Sequence, residues 1–130
     1  IIYRDRAGRI WVGTHDGGLR RFDPRSRQFI YYPAREKGRD LFEPEIDAIL
    51  EDHSGHLWVG SQTGLRILKG KEVMEAGGDM TRLIKTRAIH ALFEDSGENL
   101  WVGTTSGLFV FTSAGRPALT LPESSGLNIA

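Results

Sequence analysis

The stretch Asp52-His53-Ser54-Gly55-His56-Leu57-Trp58-Val59-Gly60-Ser61 decides the fold, because the chain writes it three times. Upstream it reads Asp5-Arg6-Ala7-Gly8-Arg9-Ile10-Trp11-Val12-Gly13-Thr14, and downstream Asp95-Ser96-Gly97-Glu98-Asn99-Leu100-Trp101-Val102-Gly103-Thr104. The copies contain all three tryptophans of the 130-residue chain, and Trp11, Trp58 and Trp101 lie 47 and 43 residues apart. Within each copy a turn segment runs into a short strand. The strand Leu57-Trp58-Val59-Gly60 has no apolar/polar alternation, which suits burial on both faces. Leu57 and Val59 then point to one neighbour, Trp58 and Gly60 to the other. Glycine there leaves room for the indole or for the next backbone.

Working outward, the second copy completes a four-stranded unit. Ile46 to Glu51 is the first strand and Asp52 to Gly55 its turn, with the Asp carboxylate able to accept from backbone amides. Leu57 to Ser61 is the second strand, Leu65 to Leu68 the third, and a poorly marked fourth lies near Val73. The third copy follows the same grammar, with a first turn read as one residue longer by Glu98. Repeats of about 40–45 residues made of short strands are the mark of β-propeller blades. The fold class is therefore all-β: a β-propeller fragment of about three four-stranded antiparallel blades, with the ring not closed. The divisions are blade 1 at 1–32 with its inner strand truncated, an inter-blade loop at 33–45, and blade 2 at 46–79. A second loop follows at 80–88, then blade 3 at 89–125 and the start of a fourth blade at 126–130. Both ends are expected to fall inside blades, as pieces of a longer reading frame.

Composition narrows the function classes. The formal net charge is zero, so no field of one sign draws nucleic acid or an anionic membrane. There is no cysteine, which excludes disulfides and thiolate metal sites. No apolar run approaches the roughly 20 residues of a membrane helix.

Motifs that invite a chemical reading yield to the repeat. His53 and His56 are spaced H-x-x-H, but they flank a hairpin turn and lack a third ligand. Gly77-Gly78-Asp79 shares only three residues with a cyclase signature. Gly64 to Lys71 has the wrong spacing for a phosphate loop, and Glu72 stands where Ser or Thr is needed. Asp95 to Asn99 lacks the calcium-loop spacing. Glu51-Asp52 and Glu94-Asp95 recur at the same place in successive copies, as a strand end and turn do; a catalytic pair would be unique. No nucleophile–base–acid set is present, so no catalytic residue, metal site or cofactor is assigned.

The pattern Glu-Asp-x-x-Gly-x-Leu-Trp-Val-Gly-Thr-x-x-Gly-Leu resembles the two-component regulator propeller repeat. Glu51-Asp52 and Glu94-Asp95 follow it, whereas the first copy has Arg4-Asp5. The resemblance implies a ligand-sensing, non-enzymatic propeller segment, periplasmic or extracytoplasmic, in an inner-membrane receptor. The output of such a receptor is a histidine kinase phosphorelay or a cyclic-di-GMP cyclase. It also implies that Trp11, Trp58, Trp101, Gly13, Gly60, Gly103, Asp5, Asp52 and Asp95 are structural. Partners are then the remaining blades and a small-molecule or saccharide ligand, with no nucleic acid and no membrane contact by this segment. The alternatives are an adhesive propeller that binds glycan or protein, and part of a polysaccharide-degrading enzyme. Propellers bind through the loops at one end of the central channel. The candidate binding residues there are Tyr32, Arg35, Arg39, Asp47 and His90, with Met80 to Arg87 as a second variable loop.

Overall fold

The structure is a computed structural model, and it describes residues 1–15, 17–31, 45–70, 72–75, 80, 83–84 and 87–122, with the backbone path alone for 72–75 and 119–122. It is built of three four-stranded antiparallel sheets. The first holds β1 (Ile2–Arg4), β2 (Ile10–Gly13), β3 (Leu19–Asp23) and β4 (Gln28–Tyr31). The second holds β5 (Ile46–Glu51), β6 (Leu57–Ser61), β7 (Gly64–Lys69) and β8 (Glu72–Glu75). The third holds β9 (Ile89–Glu94), β10 (Leu100–Thr104), β11 (Gly107–Phe111) and β12 (Pro117–Pro122). Strand order follows chain order in every sheet, so each is a meander closed by tight turns. The sheets stack in sequence: β1 and β2 pack on β5, and β5 and β6 pack on β9. The described residues thus form three blades of a β-propeller and do not close a ring.

Two cores fill the two seams. Leu57 and Val59 join Trp11, Leu19, Ile46, Ile49 and Leu68 between the first and second sheets. Trp58 joins Ala48, Leu65, Ile89, Leu100, Val102 and Phe111 between the second and third. Alternate residues of β6 therefore belong to different cores, as its unalternating composition requires. Every residue of β6 is buried.

The repeated spacing of glycine after tryptophan serves the seam directly. A Cβ on Gly60 would stand 2.5 Å from Ile89 Cγ2, and one on Gly13 would stand 2.6 Å from Ile46 Cγ2. Each glycine accommodates the first strand residue of the following blade. The room is for a neighbouring isoleucine, not for the indole on its own strand.

Two expectations change. The third turn is no longer than the others: Asp95 lies six residues before Trp101, as Asp52 does before Trp58. Glu98, at φ 64°, takes the left-handed place held by Gly8 at 84° and Gly55 at 86°. Glycine has moved one position back, to Gly97, and the turn length is unchanged. Secondly, Met80, Leu83 and Ile84 are helical within the stretch read as a loop. Met80 and Ile84 are buried in the second core, with Leu83 packed against it. Their spacing of i, i+3 and i+4 is that of one helix face.

Candidate functional site

The strand ends form two polar surfaces of different character. At one end sit the turns β1–β2, β5–β6 and β9–β10. Asp52 accepts from the backbone N–H of Ser54 and of His56 through Oδ1, both at 2.9 Å, and from Trp58 Nε1 through Oδ2 at 2.8 Å. Asp5 holds Trp11 Nε1 at 2.9 Å, and Asp95 holds Trp101 Nε1 at 2.9 Å. One carboxylate thus closes the turn and fixes the indole of the next strand. Burial pushes the Asp52 carboxyl up, but the bonds from Trp58, His56 and Ser54 outweigh it and hold it below the usual range. The indole, the Asn99 N–H and the Asn99 side chain lower Asp95 to about 2. From sequence the Asp reads as a turn former and the Trp as packing. Their shared recurrence six residues apart was the signal that they are bonded.

The same end carries ion pairs across the seams. Arg6 Nε lies 2.6 Å from Glu51 Oε1, and its Nη2 donates to the Asp52 carbonyl. His53 Nδ1 lies 2.8 Å from Glu94 Oε2, and Nε2 lies 3.5 Å from Glu98 Oε2. Tyr3 Oη accepts from the Glu51 N–H at 3.0 Å. These residues line a cleft of about 540 Å³ bounded by Tyr3, Arg4, Arg6, Glu51, His53 and Glu94. Apart from Arg4, its cations and carboxylates are spent on each other, which suits a joint better than a receptor for ligand.

The hydrogen bond to Glu94 raises the His53 pKa above 6.5; desolvation opposes it, and Glu98, Glu94 and Asp52 add attraction. A raised folded-state pKa gives stabilisation that is complete below 6.5 and lost as pH rises through the folded value. The second seam should therefore loosen on going from about pH 5.5 to about pH 8.5, with faster amide exchange in β9. His53→Arg should abolish this dependence. Equal β9 exchange at both pH values in the wild type would refute it.

The opposite end holds the turns between second and third strands and the entries to β5 and β9. Asp47 accepts from Gln62 Nε2 at 2.7 Å, and His15 Nδ1 lies 3.0 Å from Glu45 Oε1. His90 is half-buried at the position in β9 that Asp47 holds in β5, and these two strands pack together. Arg87 donates to the Leu83 carbonyl at 2.7 Å and to Ser106 Oγ, with its guanidinium 5.3 Å from the Phe109 ring centre. Arg87 thus ties the short helical stretch to the β10–β11 turn. Of the predicted binding residues, the structure places Asp47 and His90 on this rim; Tyr32, Arg35 and Arg39 lie outside the described residues. Of the structural set, Asp5, Asp52, Trp11 and Trp58 are buried, whereas Asp95 and Trp101 are half-buried, and Phe93 beside Trp101 is 62% exposed, on the face away from the second blade. Among the described residues no cluster of His, Asp or Glu could hold a metal ion, and no helix is long and apolar enough to cross a membrane.

Three stacked meanders locked by an Asp–Trp pair define a repeat-propeller scaffold. The family model for the two component regulator propeller matches residues 1–16, 40–63 and 84–106, once per blade. Each blade thus carries one repeat similar to that family's. Among solved structures it is similar to the extracellular domain of the hybrid two component system BT3049 from B. thetaiotaomicron. That likeness has TM-score 0.70 and 22% identity, over 99% of this chain and 17% of that one. The extracellular domain of the hybrid system BT4673 from the same organism gives TM-score 0.70 and 24% identity, over 99% of this chain and 17% of that one. PorZ, a surface component of the type-IX secretion system of Porphyromonas gingivalis, shares the fold at TM-score 0.52 and 15% identity, over 97% of this chain and 27% of that one. The chain thus spans about a sixth of the length of the first two. The search of curated proteins gave no match.

Proposed function

We propose that this chain is a ligand-sensing segment of an extracytoplasmic receptor propeller, without catalytic activity of its own, in a two-component or related signalling system. The observation that carries the proposal is the division between the two ends of the blades. One end repeats the Asp–Trp lock and spends its charges across the seams. The other changes from blade to blade, with Asp47 bonded to Gln62 in one and His90 and Thr105 at the corresponding positions of the next. A rigid scaffold with variable polar groups at one rim suits small polar ligands such as saccharides. The family and the extracellular placement of the similar solved domains support the signalling role. The test is thermal melting of the intact protein against a panel of mono- and oligosaccharides. At least one should raise the melting temperature, because ligand bound only by the folded state stabilises it. Absence of any shift, across saccharides and a parallel set of amino and organic acids, defeats the proposal.

A further inference from the structure

The two seam ion pairs obey one positional rule. Arg6 follows the turn Asp5 of the first blade, and its partner Glu51 precedes the turn Asp52 of the second. His53 follows Asp52, and its partner Glu94 precedes Asp95 of the third. The residue after one turn aspartate thus meets the residue before the next. The pleat explains why: Glu51 shares a strand face with Ile49, which is buried toward the first blade, and Glu94 shares one with Leu92, which packs toward the second.

Arg4 holds this same position in the first blade, immediately before Asp5. It pairs in register with Ile10 and shares its face with Ile2, which is 76% exposed. The charge is reversed relative to Glu51 and Glu94. Arg4 is exposed and forms no ion pair with any described residue. We propose that the Arg4 face docks a propeller blade whose residue following its own turn aspartate is acidic. The surface continues an established type of seam, and its charge fixes the chemistry of what completes it. A second copy docked head to tail would present Ser96 at that point, which carries no charge to match Arg4. The occupant is therefore a different blade. The inference rests on the propeller fold and is independent of ligand sensing.

The experiment uses the intact protein with Arg4→Glu and, as a milder change, Arg4→Gln. Arg4→Glu should lower the melting temperature by about 2–4 °C at low salt, and Arg4→Gln by less. Both effects should shrink at high salt as the pair is screened. Changing to Lys the residue that follows the turn aspartate of the blade seated on β1 should restore the Arg4→Glu protein. An Arg4→Glu protein that melts like the wild type, or one that this Lys does not rescue, overturns the proposal.

Discussion

Trp58→Ala should destabilise the intact protein by about 3–5 kcal/mol, the largest effect of any single truncation in the second blade. The indole is 8% exposed and sits in the core between second and third sheets, so its removal leaves a cavity as well as losing burial. It also strips Asp52, itself 7% exposed, of one of its three donors. Asp52→Asn should cost about 2–3 kcal/mol: Oδ1 can still take both amides, but an NH2 group then faces the indole N–H and leaves it unsatisfied. Trp58→Phe keeps most of the apolar surface and loses only the bond, so it should cost least of the three. Chemical denaturation of the variants checks the order Trp58→Ala, Asp52→Asn, Trp58→Phe. If Trp58→Phe proves as damaging as Trp58→Ala, the indole bond matters more than burial and this apportionment is wrong.

Gly60→Ala should cost about 1–3 kcal/mol although it adds a single methyl group. That methyl would lie 2.5 Å from Ile89 Cγ2 and 2.8 Å from Ile89 Cβ, with Ala48 Cβ at 3.3 Å. Ile89 is fully buried, so relief requires the third blade to move off the second. Gly55→Ala makes a useful contrast: nothing lies within 4 Å of the added carbon, and its cost is the left-handed φ of 86° alone. Combining Gly60→Ala with Ile89→Ala should cost less than the sum of the two, because each acts on the same contact. Strict additivity in denaturation would show that Gly60 is not held small by Ile89.

The repeat carried most of this architecture into the sequence. The absence of alternation in Leu57-Trp58-Val59-Gly60 correctly implied two buried faces, and the structure assigns Leu57 and Val59 to one core and Trp58 to the other. What the tryptophan spacing could not show was the partner of each group. Gly60 reads equally well as room for an indole or for a neighbour, and only the stacking of blades reveals Ile89. Asp52 reads as a turn former because its backbone bonds close the turn, whereas its bond to Trp58 reaches beyond the turn into β6. The helical Met80, Leu83 and Ile84 are not legible in the sequence because three apolar residues over a single turn are a weak periodic signal. The ion pairs across the seams depend on contacts some 41–45 residues apart, which local sequence does not encode.

On the proposed function, scaffold and recognition fall on different residues. Asp52 and Trp58 are tied up in the seam, whereas Asp47, bonded to the exposed Gln62, and His90 stand at the rim where blades differ. The most direct test measures, for the intact protein, both melting temperature and affinity for whichever saccharide raises that temperature. Asp47→Ala and His90→Ala should weaken binding while leaving the unliganded melting temperature nearly unchanged, and Asp52→Asn should lower that temperature while leaving affinity intact. Loss of affinity in Asp52→Asn, with Asp47→Ala and His90→Ala binding normally, would contradict the account.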